Sequence, residues 1–227
     1  LDEEWFQRFF IDKKTGRKHR IYKFRGRPCK RVVLKSKICD QLAGYALIQK
    51  DLKSAIVWMK EIERIHSAQP KVDGGFFYAE NREAYDLVKG LFVASLTFYG
   101  KCFSKCDGRP VKLEKRQLDE KFHRLHDLGI KYRHNFAAHS GAEKLEVARV
   151  VVVAPDKWKK GRDLPYRIMS EIEQPDLVWQ DEKDAVVWVE LFEHVREFVL
   201  NKGQQLHDKI VESEILPNGV ESIFKVK

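Results

Sequence analysis

The strongest constraint on the fold is a stretch of helical periodicity without a breaker. Ile38, Leu42, Tyr45, Leu52, Ile56, Met59 and Ile62 recur at steps of three, four or seven, which keeps them on one helix face. Between Gly44 and Pro70 there is neither Gly nor Pro. Ser36 stands where a helix N-cap is wanted, its short hydroxyl able to take a free backbone N–H. The pattern predicts one long helix, or two joined near Asp51. A stripe of this length has to be covered, so other helices must pack on it.

The remaining segments supply them. Pro70, Gly74 and Gly75 mark a loop, and a second helix is expected from about Glu80 to Phe103. Leu87, Val88, Leu91, Phe92, Val93, Leu96, Phe98 and Tyr99 leave it little polar face, as in a central bundle helix. A third helix is expected from about Glu114 to His139, with Gly141 placed to end it, and a fourth from about Glu182 to Glu212, with Ala185, Trp188, Phe192, Val195, Val199, Leu206 and Ile210 as its stripe. Between these two the period changes. Leu145 to Val153 is rich in valine and Tyr166 to Ile172 alternates, with Lys159, Lys160 and Gly161 as a turn, which reads as a hairpin. At the start, Trp5 to Ile11 and Ile21 to Phe24 flank Lys14, Thr15 and Gly16 and read as another, ended by Gly26 and Pro28. The expectation is a mainly α fold. A four-helix bundle fills a single domain over 1–227, with a basic β-hairpin appended over 1–35 and a β-hairpin inserted over 143–175 before the last helix.

The formal charge of +9 is concentrated. Lys13 to Lys37 holds twelve Lys or Arg and no acid, more than the whole excess, so a strong local field is expected rather than a uniformly positive protein. No run approaches the ~20 apolar residues of a membrane span, and Leu1 to Phe10 carries acids where a signal peptide has a basic region. A cytoplasmic protein without membrane contact is expected. Cys29, Cys39, Cys102 and Cys106 are too scattered for a disulfide framework, so reduced thiols are expected. Cys102 and Cys106 read as small buried hydrophobes near a helix end rather than as zinc ligands, since a second pair is missing.

Four of the eight histidines lie between His123 and His139. Leu118, Phe122, Leu125, Leu128, Tyr132 and Phe136 define an apolar stripe on the third helix, with Arg133 and His139 at its opposite edges and His123 and His126 on the polar side as surface residues. The order Arg133, His134, Asn135, Phe136, Ala137, Ala138, His139 resembles the signature of the HEPN superfamily: an arginine, a polar residue, four more positions, then a histidine. The resemblance implies a small helical bundle that commonly dimerises. Many members are metal-independent endoribonucleases of toxin-antitoxin, phage-defence and RNA-processing systems; others are catalytically silent binding modules. On the ribonuclease side His139 is the acid or base and Arg133 holds the scissile phosphate in its planar fork. His134 takes the polar second position, and Asn135 would orient His139. A homodimer supplies the second imidazole across a two-fold axis. No cofactor and no metal are implied, and a protein antitoxin would be the partner of such an enzyme if it is a toxin. The alternative is structural: a hydrogen-bonded histidine at a core edge and an interface arginine.

The basic hairpin has two readings of its own. Lys13, Lys14, Arg17, Lys18, Arg20, Lys23, Arg25, Arg27, Lys30 and Arg31 offer charge for phosphates, and Tyr22 and Phe24 offer rings for unstacked bases, as in single-strand RNA binders. Otherwise the lysines protect a solvated strand edge. Twelve cations without an acid exceed what an edge needs, which favours nucleic acid. Lys157, Lys159, Lys160 and Arg162 on the later hairpin would extend that surface.

Overall fold

The computed structural model describes residues 4–68, 82–134, 147–157, 165–173 and 187–224. It is mainly helical, with two small antiparallel sheets. The chain forms two compact units, residues 1–39 with 208–227 and residues 40–207.

In the first unit β1 (Trp5–Ile11), β2 (Lys18–Phe24) and the short β3 (Arg27–Pro28) form one antiparallel sheet in that order. The β1–β2 turn is closed by Asp12, whose backbone N–H donates to the Arg17 carbonyl at 2.9 Å and whose Oδ1 accepts from the Lys14 N–H at 2.8 Å. The Lys14 backbone N–H also holds the Asp12 carboxyl below its usual pKa. Gly16 takes the left-handed conformation the turn needs, φ +66°. Trp5 stands opposite Phe24, Phe9 opposite Arg20 and Phe10 opposite His19, which fixes which side chains share a face.

In the second unit α1 (Lys37–Ser67) is one unbroken helix. Ser36 caps it, Oγ accepting from the Cys39 N–H at 3.2 Å. No joint occurs at Asp51. That carboxylate is 1% exposed on the inward face, where Oδ2 meets Lys101 Nζ at 3.0 Å and Oδ1 meets Lys50 Nζ at 3.2 Å. Helix α2 (Arg82–Phe103) runs beside α1: Ser95 Oγ donates to the Leu91 carbonyl at 2.8 Å and reaches the Ala55 carbonyl at 3.4 Å, and Trp58 meets Phe98 edge-on. As expected of a central element, it contributes Val88, Phe92, Leu96, Tyr99 and Cys102 to the core. Helix α4 (Trp188–Ile210) adds Trp188, Leu191, Phe192, Val195 and Val199.

The third helix departs from its expected length. Lys115–Gln117 and Glu120–Phe122 are separate 3-10 turns, and α3 spans His123–Tyr132. The hairpin before α4 pairs β4 (Val147–Val153) with β5 (Arg167–Glu173). Its expected turn, Lys159 to Gly161, and the neighbouring Arg162 lie outside the described residues. Val150, Val152, Ile168 and Ile172 share one face at 66–73% exposure, while Arg149 and Glu171 face each other on the opposite one.

The buried Asp51 carries a direct expectation for stability. Removing Lys101 leaves the carboxylate with Lys50 as its one ion-pair partner among the described residues, whereas Asp51→Asn removes the charge and keeps the shape. Lys101→Ala should lower the unfolding free energy by about 1–3 kcal/mol in urea. Adding Asn at position 51 should recover part of that loss. Additive losses in the double variant would contradict the coupling.

Candidate functional site

The end of α2 organises the region around Arg133. The last carbonyls of a helix lack intrahelical partners, and here a buried arginine takes them. Arg109, 6% exposed, donates from Nη2 to the Lys101 carbonyl and to the Ser104 carbonyl at 3.3 Å, and from Nε to the Val111 carbonyl at 3.0 Å. Ser104 Oγ donates to the Gly100 carbonyl at 2.9 Å and accepts from Arg133 Nη1 at 3.3 Å. Two guanidinium groups thus meet the negative end of the α2 dipole.

Arg133 reaches Ser104 because Gly100 leaves space. A Cβ built on Gly100 would overlap the Arg133 Cδ and lie 3.1 Å from Nε. The same device acts at Gly129, where an added Cβ would stand 3.0 Å from Trp188 Cζ3 and 3.5 Å from Leu96 Cδ2. These contacts seat α3 closely on α2 and α4. Arg133 is half-buried and His134 exposed, in a last turn that widens to π-helical geometry. Asn135 and His139 lie outside the described residues.

One sequence expectation is corrected here. His126 is not a surface residue: it is 5% exposed, its Nδ1 2.7 Å from the Tyr99 hydroxyl and its ring against Phe103. Burial pushes its pKa down to about 4 and pushes that of Tyr99 well above the usual value, so a neutral imidazole meets a neutral phenol. His123 is half-buried, with Nε2 3.1 Å from the Leu118 carbonyl. The buried face of α3 is wider than the apolar stripe: Leu125 is in the core and Leu128 packs against it as expected, and His126 and Gly129 beside them are buried too. Cys102 is buried as expected, and burial pushes its thiol up to about 12. Among the described residues no group of three or more His, Cys, Asp or Glu is placed to hold a metal ion.

In the sheet unit Lys13, Lys14 and Arg17 lie in the exposed β1–β2 turn. Lys18, Arg20, Tyr22 and Phe24 share one face of β2, and Lys23 lies on the other. On the first face Lys18 and Arg20 stand over the Phe9 ring at 5.3 and 5.0 Å, and Phe24 packs on Trp5 at 4.8 Å. Arg25, at φ +46°, hydrogen-bonds Glu4 through Nε at 2.7 Å. Arg27 is in β3, with Lys30 and Arg31 exposed beyond it. Phe6, Phe9, Phe10 and Ile11 are all about half exposed or more. On the second face an open groove of about 450 Å³ is bordered by Phe10, His19, Ile21, Lys23, Pro28 and Arg31. Phe10 and His19 stack there with centroids 5.3 Å apart. Sequence reasoning did not select these two rings; the signal was the pairing register, since Asp12 and Arg17 close the turn and thereby set Phe10 beside His19.

Comparison with family models, curated proteins and solved structures returns no match.

The buried histidine makes stability depend on pH. Between pH 6.5 and 4 the unfolded chain binds a proton at residue 126 that the folded chain refuses, so the stability this group allows is full above 6.5 and falls as pH drops towards 4. Urea titrations across that window should show a shallower acid loss for His126→Asn than for the parent. Equal slopes would mean that residue 126 does not titrate from a buried site.

Proposed function

We propose that this chain binds RNA through the β1–β2 hairpin and cleaves it, without a metal, through the segment from Arg133 to His139. The observation that carries the binding is a run of twelve cations without an acid that begins in the β1–β2 turn and continues through β2 and β3 to the start of α1, beside β1 rings that are about half exposed. Such a surface meets a polyphosphate with charge and its bases with flat rings. It also explains why rings that a core would normally absorb stay outside one.

Cleavage is supported by the likeness of Arg133, His134 and His139 to the HEPN pattern and by the seat of Arg133. A guanidinium held on one side by Ser104, beside a helix end, keeps donors in a fixed fork for a phosphate. In this reading His139 removes or returns a proton as the 2′-hydroxyl oxygen attacks phosphorus and the 5′-oxygen leaves. Arg133 balances the charge on the phosphorane. Asn135 orients the imidazole, and His134, exposed beside Arg133, faces solvent or RNA. A second copy of the chain contributes the second imidazole, so a homodimer is part of the proposal. If the protein serves as a toxin, an antitoxin would cover this segment. The second reading is a silent RNA-binding module, favoured by the way Ser104 and the α2 end already occupy part of Arg133.

One assay separates them. Purified chain in chelator should bind RNA with an affinity that falls steeply with salt. Lys13→Gln, Lys14→Gln and Arg17→Gln together should lower the log–log slope by about 2, roughly 0.7 per lost phosphate contact. Cleavage should survive chelation and vanish in His139→Ala and in Arg133→Ala. Gly100→Ala, whose methyl displaces Arg133, should weaken it. Binding without cleavage selects the silent module, and salt-insensitive or absent binding contradicts both readings.

A further inference from the structure

The two faces of the β1–β2 sheet are not equivalent. On the face carrying Phe9 and Phe24, these two rings are already engaged, Phe9 by two cations and Phe24 by Trp5 and Arg25. The opposite face holds the groove. Its floor is the stacked pair Phe10 and His19, with Ile21 and Pro28 as apolar walls and Lys23 and Arg31 as cations. No carboxylate lines it.

A cavity of about 450 Å³ lies within the ~300–1,000 Å³ range of ligand sites. Its chemistry is particular: two stacked rings and two cations line it together. An acidic peptide would use the cations but leave the stacked rings exposed. A lipid surface would need apolar side chains without a concave ring wall. A flat, weakly polar ring bearing an anion on each side uses every feature, and a nucleotide within a single strand is such a ligand. A duplex keeps its bases stacked inside and could reach only the cations.

We propose that this groove is a base-stacking slot for single-stranded nucleic acid: one unstacked base lies on Phe10 and His19, with neighbouring phosphates on Lys23 and Arg31. The proposal rests on the RNA-binding reading and names the strand form it requires. It also moves the stacking role from Tyr22 and Phe24, where the sequence pattern puts it, to the other face of the same sheet.

The test compares three probes on the full chain by fluorescence anisotropy: a single-stranded oligouridylate, an abasic strand of the same length and charge, and a duplex. Phe10→Leu keeps an apolar side chain at the sheet surface while removing the ring, and His19→Thr keeps a strand-forming residue. Circular dichroism checks that each variant remains folded. The parent should prefer the oligouridylate to the abasic strand. Each substitution should weaken oligouridylate binding roughly 5- to 100-fold, the range of one lost stacking partner, and leave abasic and duplex binding unchanged. Oligouridylate binding that is unaffected in both folded variants, or lost equally for all three probes, overturns the slot while leaving RNA binding in place. If none of the probes binds the parent chain, the slot and the RNA-binding reading fall together.

Discussion

Positive charge that has no acid beside it cannot be folded inward. Burying an unpaired ammonium or guanidinium costs several kcal/mol, and the stretch from Lys13 to Lys37 carries twelve such groups. The chain therefore keeps the cations of this stretch at the surface, in the β1–β2 turn, on β2 and β3 and in the segment after them, and places its core in the helices. Glu4, preceding the run, pairs with Arg25, and a carboxylate at Asp12 closes the turn. The rings of the hairpin share the consequence. Trp5 and Phe24 cover each other, and Phe9 and Phe24 lie under neighbouring cations, which limits the cost of leaving them at the surface.

The helical unit obeys a different rule. There the decisive contacts are close approaches between helices. Gly100 admits the Arg133 side chain, Gly129 admits the Trp188 ring, and the Tyr99 hydroxyl pairs with a neutral imidazole from α3. Tyr99 in turn stacks on Phe192 of α4 with ring planes 17° apart. Three polar side chains enter this core with partners: Asp51 with two lysines, Arg109 with helix-end carbonyls and His126 with a phenol. Arg133 is held at the edge of the same system, which is why a residue of the candidate catalytic segment also has structural contacts.

Much of this was legible in the sequence, for physical reasons. The 3.6-residue stripe from Ile38 gave α1, and Ser36 marked its start because a helix needs an acceptor for its first N–H groups. Alternation around Thr15 and Gly16 gave the hairpin. What periodicity could not show was the width of the inward face. The stripe through Leu118, Phe122 and Leu125 is in the core as drawn, and His126 and Gly129 beside it are buried as well. A histidine inside a core is set by a partner on another helix, and Tyr99 lies 27 residues away. The groove was missed for a related reason. Charge drew attention to residues from Lys13 onward, while the ring that lines it, Phe10, belongs to the preceding strand and acquires its role only by facing His19.

The central claim is that the hairpin is the surface that meets RNA. Photocrosslinking of the full chain to a single-stranded RNA bearing 4-thiouridine, followed by mass spectrometry of the adducted peptides, tests it most directly. The account predicts adducts within Trp5 to Arg31, among them Phe10 or His19. Adducts confined to the helical unit, or none from RNA that demonstrably binds, would contradict it.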